Sequence, residues 1–391
     1  MERILKSSSA VITGVGQTPM RKASGKTNLR LQAEAALIAV ADAGIQLSDI
    51  DGLITVPLGT DSWMMPIAVV ADALGMKPDY FATVDVAGAS GCAAVVQAKM
   101  AIEAGLCQRV LCVGGASLKT FGQEKDLIAH MAETGTAHPQ FELPYGPTLA
   151  SLYALVASKH CHEFGTTEEQ LAEIAVAARA YASRNPNARL RELISVDDVM
   201  SSRPISTPLK MLDCSIVTDG AAAFILERED MASDFSVRVA GHGQGYGWAY
   251  VGSQAELASS AAVISGQKAY NMAGLGPSDI DIAELYDCFT IALLIELEDL
   301  GFCEKGEGGR FVASGALGPN GKIPTNTHGG LLSGGHPGLA GGFLHVVEAV
   351  SQLKGKAGER QVSDARTALV HGNGGVMGLH STLILQQGKV K

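Results

Sequence analysis

The chain has no clustered run of lysine and arginine and carries a formal charge of −10 over 391 residues. That balance removes the electrostatic footprint of a nucleic-acid binder and of a protein held on an anionic membrane. Nowhere do eighteen apolar residues run uninterrupted, so no membrane-spanning helix is expected. The start of the chain lacks a signal-type apolar block: Arg3 and Lys6 precede Ser7-Ser8-Ser9, and the next apolar run is broken by Thr13, Gly14 and Gly16. A disulfide framework is missing too. The seven cysteines, Cys92, Cys107, Cys112, Cys161, Cys214, Cys288 and Cys303, are odd in number, dispersed and set in apolar segments, which predicts a reducing, cytoplasmic setting.

What is present is ample core material, with 47% apolar and 18% charged residues, in a chain longer than one hydrophobic core usually supports. Internal repetition is the main architectural signal. Ala10 to Gln17, with Gly14 and Gly16, resembles Val237 to Gln244, with Gly241 and Gly243; Ala43 to Asp51 resembles Ala273 to Asp281. Both matches have an offset of about 230 residues, too long for a solenoid repeat and suited to two duplicated domains. A third pair joins Val110 to Gly115 with Ala368 to Gly372. Each half alternates β-branched runs with helical patterns such as Leu29 to Ala43 and Ala93 to Ala104, which predicts strand-helix-strand units in a mostly parallel sheet. Between Leu118 and Pro208 the texture changes to a mainly helical insertion, including a helix over Thr167 to Arg184, before the chain returns in the strand-like Ala221 to Leu226.

Chemistry concentrates late in the sequence. Tyr286-Asp287-Cys288-Phe289 is followed about fifty residues on by Gly334-Gly335-His336-Pro337-Gly338, which brings proton-handling side chains together with glycine turns. His328, in Asn326-Thr327-His328-Gly329-Gly330, either lines the same site or bonds a turn backbone.

In order and motif the chain resembles the thiolase superfamily, and within it the sterol-carrier-protein type, which has a His-Asp-Cys-Phe motif and a Gly-His-Pro motif. The resemblance covers essentially the whole chain. It implies an α/β fold of duplicated αβα halves in five layers with an inserted helical loop domain. The matching boundaries are 1–117 for the first half, 118–208 for the insertion, 209–232 for the return and 233–391 for the second half. Two departures stand out. Thiolases place their nucleophilic cysteine in a Cys-Ala-Ser-Gly type segment, and here Ala87-Gly88-Ala89-Ser90-Gly91 puts Gly88 at that position. Cys92 follows one turn later, displaced by about 6 Å along a helix, and reads as packing, with acylation as the alternative. Tyr286 replaces the motif histidine, exchanging a group that titrates near ~6.5 for one near ~10. The late Cys-x-Gly motif of other thiolases is replaced by Gly372-Asn373-Gly374.

Thiolysis needs a thiolate to accept the acyl group, and Gly88 has none. A site that stabilises a thioester enolate can still split a 3-hydroxyacyl-CoA by a retro-aldol step, with no covalent intermediate. This combination resembles the thiolase-like aldolases of steroid side-chain degradation. It implies Tyr286, His336 and Cys288 as catalytic residues and His328, Gly88, Gly335 and Gly374 as substrate-binding ones. Coenzyme A enters as part of the substrate and no cofactor or metal is expected. A homodimer and a partner containing a zinc ribbon and an OB-fold are also implied. The alternative is a thiolase or acyltransferase acting on a 3-oxoacyl-CoA; a non-catalytic acyl-CoA-binding scaffold is a third reading.

Other residues are expected to be structural. Asp287 reads as an acceptor that orients its neighbours, and His371 as non-catalytic. His160-Cys161-His162-Glu163 reads as a solvated helix face, since no second ligand pair has matching spacing. Arg179, Arg184 and Arg189 lie where the superfamily binds CoA phosphates but read as surface arginines. Gly14-Val15-Gly16 lacks the third glycine of a dinucleotide site.

Overall fold

The computed structural model describes residues 9–57, 61, 63–121, 137–232, 236–254 and 256–388. Arg3, Lys6 and residues 122–136 of the expected insertion lie outside the described residues.

Nine strands form one sheet in the order β3-β2-β4-β7-β1-β8-β11-β10-β9. In the first half these are β1 (Ala10–Gln17), β2 (Gly52–Thr55), β3 (Tyr80–Thr83), β4 (Arg109–Ser117) and β7 (Asp219–Arg228). The second half supplies β8 (Val237–Tyr246), β9 (Ile282–Leu285), β10 (Thr367–Gly374) and β11 (Leu379–Gln387). A small hairpin of β5 (Pro204–Ser206) and β6 (Leu209–Lys210) stands apart. The order is palindromic about the β1/β8 seam: β1, β7, β4 and β2 are met in that sequence on one side, and their counterparts β8, β11, β10 and β9 on the other. The repeat found in the sequence is thus a structural duplication, with β4 and β10 as its third matched pair.

The sheet is mixed, which corrects the expectation of a mostly parallel one. Only β2 with β3, β2 with β4, and β9 with β10 run parallel; β4–β7, β7–β1, β1–β8, β8–β11 and β11–β10 are antiparallel. The physical reason is connection length. β10 and β11 are joined by four residues, 375–378, and a parallel pair needs a crossover of a dozen or more.

Helices cover the sheet on both faces. Along β4, Leu111 and Val113 face the cluster under α1 (Asn28–Ala43) and α2 (Pro66–Leu74), while Val110 and Cys112 face the central layer. That alternation is the strand period of two at work. The central layer contains α3 (Ser90–Glu103) and, from the second half, α8 (Gly341–Leu353). Between β4 and β7 the chain runs through α4 (Leu149–Phe164) and α5 (Glu168–Ala182), both opened by threonine capping boxes at Thr148 and Thr167. The second half adds α6 (Ala262–Ala273) and α7 (Thr290–Asp299).

The repeated Gly-x-Gly has a packing cause. A Cβ on Gly14 would lie 2.3 Å from the Ala39 carbonyl oxygen of α1, and one on Gly243 would lie 2.2 Å from the Ser265 oxygen of α6. Glycine lets strand and helix backbones touch in both halves, which accounts for these residues without any phosphate ligand. Gly243→Ala is therefore expected to lower stability by about 2 kcal/mol. Gly276→Ala, whose Cβ meets nothing closer than 3.8 Å, should leave it unchanged; equilibrium denaturation of the two variants checks this.

Candidate active site

The site is assembled at the end of β9. Asn326 grips the last strand residue with both ends of its amide: Leu285 N–H donates to Oδ1 at 2.7 Å and Nδ2 donates to the Leu285 carbonyl at 2.8 Å. Asn326 itself has φ +52°, a left-handed conformation that asparagine tolerates better than most residues. Tyr286 leaves the strand just beyond this clamp.

His336 arrives from the opposite side on a backbone held by the 216–218 segment. Its N–H donates to the Ile216 carbonyl at 2.9 Å and its carbonyl accepts from Thr218 N–H at 3.1 Å. Gly335 has φ +136°, and a Cβ there would press on Met20 and Thr218. The result is a direct hydrogen bond of 2.8 Å between Tyr286 Oη and His336 Nε2, with the two rings edge to face.

Gly88 lies under the phenol. A Cβ at this position would sit 2.2 Å from Tyr286 Cζ and 2.3 Å from the Asn373 carbonyl oxygen. The tyrosine ring therefore fills the space that a side chain at position 88 needs. Gly374 completes the turn, since its Cβ would lie 2.3 Å from the Val86 oxygen. Gly91 and Gly342 allow α3 and α8 to meet near their first turns, a Cβ on Gly91 lying 2.3 Å from the Gly342 oxygen. The positive ends of two helices thus converge beside Gly88.

Cys288 lies behind Tyr286, buried, with its thiol against the Tyr153 hydroxyl. Tyr153, from α4, stacks on Phe289 at 4.5 Å between ring centroids and donates to Asn373 Oδ1 at 3.0 Å. Asn373 in turn donates to Glu296 Oε1, while Glu296 Oε2 has no hydrogen-bond partner. Neither Tyr153 nor Glu296 was singled out from the sequence. The one available signal was Glu296 itself, a carboxyl within the apolar run of α7, every residue of which is buried.

The electrostatics favour neutral groups. Burial, with His345 adding to it, holds the His336 imidazole down to about 4. Burial also pushes Tyr286 well above the usual phenol range, reinforced by Cys288, Asp287 and Glu296. The Cys288 thiol and the Glu296 carboxyl are raised chiefly by the same cause. Asp287 is raised by burial to about 7 although it accepts from Leu331 N–H at 2.7 Å and Leu332 N–H at 3.3 Å. It orients the 330–332 turn, as an acceptor should. Burial thus disfavours a phenolate and an imidazolium alike, so that Tyr286 and His336 face each other as neutral groups.

Not every residue joins the site. His328 is buried with Glu284, its Nδ1 3.0 Å from Oε2, and its carbonyl accepts from Asn185. Cys92 is buried in α3 with Sγ directed at the Val370 carbonyl 3.8 Å away, and burial raises its thiol strongly. His371 is enclosed between Thr382 and His380. Two expectations are corrected. His160 is fully buried against Glu298 and Thr166 rather than solvated, because its helix face packs on α7 while His162 and Glu163 stay exposed. Arg179 is likewise buried, donating to Ser333 Oγ and to the Glu192 carbonyl, both at 2.9 Å, so only Arg184 of the three arginines is fully exposed.

The shared volume of Gly88 and Tyr286 gives a quantitative expectation. Gly88→Ala should cost about 2–3 kcal/mol. In a Tyr286→Ala background the same change should cost less by about 1 kcal/mol, the remainder coming from Asn373. A double-mutant cycle in denaturant measures the coupling; additive costs would show that the ring does not define the space.

Comparison with known proteins agrees with this architecture. Residues 9–230 match the thiolase N-terminal domain and residues 243–387 the thiolase C-terminal domain-like family. An acetyl-CoA acetyltransferase of Methanothermobacter thermautotrophicus is 36% identical over 94% of this chain and 96% of its own length. A steroid side-chain-cleaving aldolase of Thermomonospora curvata is 34% identical over 94% and 96%. Among solved structures, an Ltp2-ChsH2(DUF35) aldolase superposes with a TM-score of 0.86 at 33% identity, covering 98% of this chain and 99% of that one. The duplicated fold, the order of its motifs and both domain matches establish that the chain belongs to the thiolase family.

Proposed function

We propose that the chain cleaves the C2–C3 bond of a 3-hydroxyacyl-CoA by a retro-aldol reaction through a thioester enolate. The observation that carries this reading is the Tyr286 phenol over Gly88, hydrogen-bonded to His336 where an acyl-accepting thiol would otherwise stand. The 3-hydroxyl passes its proton to Tyr286 Oη as Tyr286 passes its own to His336 Nε2. The C2–C3 bond breaks, C3 leaves as an aldehyde or ketone, and the electron pair becomes the enolate of the shortened thioester. Its α-carbon then takes a proton, either back from His336 through Tyr286 or from the Cys288 thiol, the proton held on His336 then passing to the thiolate to restore both groups.

Burial penalises a lone imidazolium, but the developing enolate is a counter-charge, so the proton transfer becomes easier as the bond breaks. Backbone N–H groups at the converging starts of α3 and α8 are suited to the enolate oxygen. Gly88, Gly335 and Gly374 shape the acyl end.

The steroid side-chain-cleaving aldolase fits this reading, and the similar solved aldolase is a complex whose name includes a DUF35 protein, so a zinc-ribbon and OB-fold partner is proposed here too. A homodimer is proposed through β3, the free edge of the first-half strands, where Phe81 is 62% exposed. Among the described residues no helix is long and apolar enough to cross a membrane, and all seven cysteines are free, in keeping with a cytoplasmic enzyme.

The 36% identical acetyltransferase favours a second reading, acyl transfer to a thiol. A panel of 3-hydroxyacyl- and 3-oxoacyl-CoA substrates, analysed by mass spectrometry, separates the two. Carbonyl release without added coenzyme A supports the aldolase; stoichiometric acylation of Cys92 would replace it with a transferase. Tyr286→Phe is expected to lower kcat by ~100-fold or more while costing only about 1–3 kcal/mol of stability for the unpaired His336 Nε2, checked by steady-state kinetics and thermal melting. Because His336 must be neutral, and is held down to about 4, the acid limb of kcat/KM that belongs to it should fall nearer pH 4. An acid limb at ~6.5 that persists in Asp287→Asn, which removes the neighbouring carboxyl raised to about 7, would take His336 out of this role.

A further inference from the structure

Behind the Tyr286–His336 pair lies a second group of buried side chains that the proposed reaction does not use. Glu284 on β9, His328 in the 326–330 loop and His345 on α8 bring one potential ligand atom each to within 4.8 Å of one another. Glu284 Oε2 lies 3.0 Å from His328 Nδ1 and 3.6 Å from His345 Nδ1. His328 and His345 meet edge to face, with ring centroids 4.9 Å apart. None of the three is more than 3% exposed.

The hydrogen-bond accounting of this group does not close. Both ring nitrogens of His345 and Nε2 of His328 are buried without a hydrogen bond, the carboxylate oxygens facing His345 standing off at 3.6 and 3.8 Å. A buried polar atom left unpaired costs about 1–3 kcal/mol, and a neutral imidazole always has one N–H and one lone pair to satisfy. Glu284 Oε1, by contrast, is fully engaged, accepting from Thr327 N–H at 2.9 Å and Thr327 Oγ1 at 2.8 Å. Its other oxygen is thereby fixed toward the two rings.

We propose that Glu284, His328 and His345 form a binding site for a divalent transition-metal ion. Tetrahedral zinc, with ligands at ~2.0–2.1 Å, separates neighbouring donor atoms by about 3.3 Å, and the two measured separations bracket that value. Two imidazoles and one carboxylate select zinc or cobalt over magnesium or calcium, which take oxygen ligands. His345 Nε2 faces Asp287 Oδ1 at 3.8 Å, longer than a hydrogen bond, on the side where a ligating histidine usually meets a carboxylate. Completely enclosed, the ion does not meet substrate; it ties the end of β9 to the 326–330 loop and to α8, and so positions the Tyr286–Asp287 turn.

This site stands independently of the aldolase reading, and its test does not use activity. The untagged full chain, purified without any zinc-bearing partner from zinc-supplemented cells, is analysed by inductively coupled plasma mass spectrometry. Equimolar zinc is expected in the wild type, with less than about a tenth of that in His345→Gln and in Glu284→Gln. After chelation, titration with Co2+ should give the visible bands of a four-coordinate nitrogen–oxygen site in the wild type and not in the variants. Added Zn2+ should raise the melting temperature of the chelated wild type only. Wild-type protein that holds no zinc, gives no cobalt bands and shows no zinc-dependent melting shift overturns the proposal even if a variant fails to fold. Equal metal in wild type and folded variants also overturns it.

Discussion

Tyr286 and position 88 compete for one volume, and the site is organised around the way that competition is resolved. A phenol ring extends further from its backbone than an imidazole, and its Cζ would lie 2.2 Å from any Cβ placed on Gly88. The Asn373 backbone closes the same space from the other side at 2.3 Å. The glycine and the tyrosine are therefore one change, since either alone leaves a clash or a void. What the pair gains is a phenol hydroxyl held at 2.8 Å from His336. What it gives up is a side chain at position 88, and the nearby thiol of Cys92 is turned into the core.

In the proposed reaction such a site would have to stabilise negative charge through fixed dipoles and neutral groups. Asp287, Cys288 and Glu296 surround Tyr286, and burial raises all three. Each is thereby pushed toward its neutral form, which limits the repulsion an enolate would meet. Attraction comes from fixed dipoles, because α3 and α8 approach through Gly91 and Gly342 with their first turns together. Such dipoles need no reorganisation when charge develops, whereas a lysine or arginine here would hold Tyr286 as a phenolate and draw solvent.

The fold was readable in the sequence because duplication leaves a double record. Gly14 and Gly241 occur in the same local context, and both are required for backbone contact with a helix carbonyl. Strand direction was less legible. The alternation of strands and helices is the same whether the closing strands run parallel or antiparallel, and the deciding feature is the short 375–378 link. Within the site, Tyr286 and His336 were visible because a phenol and an imidazole stand out beside glycine-rich turns. Tyr153 and Glu296 were not, since an aromatic or a carboxyl in a helix has no marked spacing until the helices pack. Arg179 and His160 misled for a related reason: their partners Ser333 and Glu298 lie 154 and 138 residues away.

Neither half of the duplication can form this site alone. The second half brings Tyr286 from the end of β9 and His336 from the turn before α8, while the first brings the Gly88 turn and the start of α3. The segment between β4 and β7 supplies Tyr153 and, through Ile216 and Thr218, the backbone clamp on His336. Ala87, at φ +49°, carries strain that a free turn would release, and it is held because Gly374 and Gly342 press on the 86–88 backbone from the second half. The close approach of α3 and α8 thus has two consequences from one cause. Glycines thin the interface enough to bring the first turns of two helices together beside Gly88, and the same thinness leaves no room at position 88 for anything beyond a hydrogen.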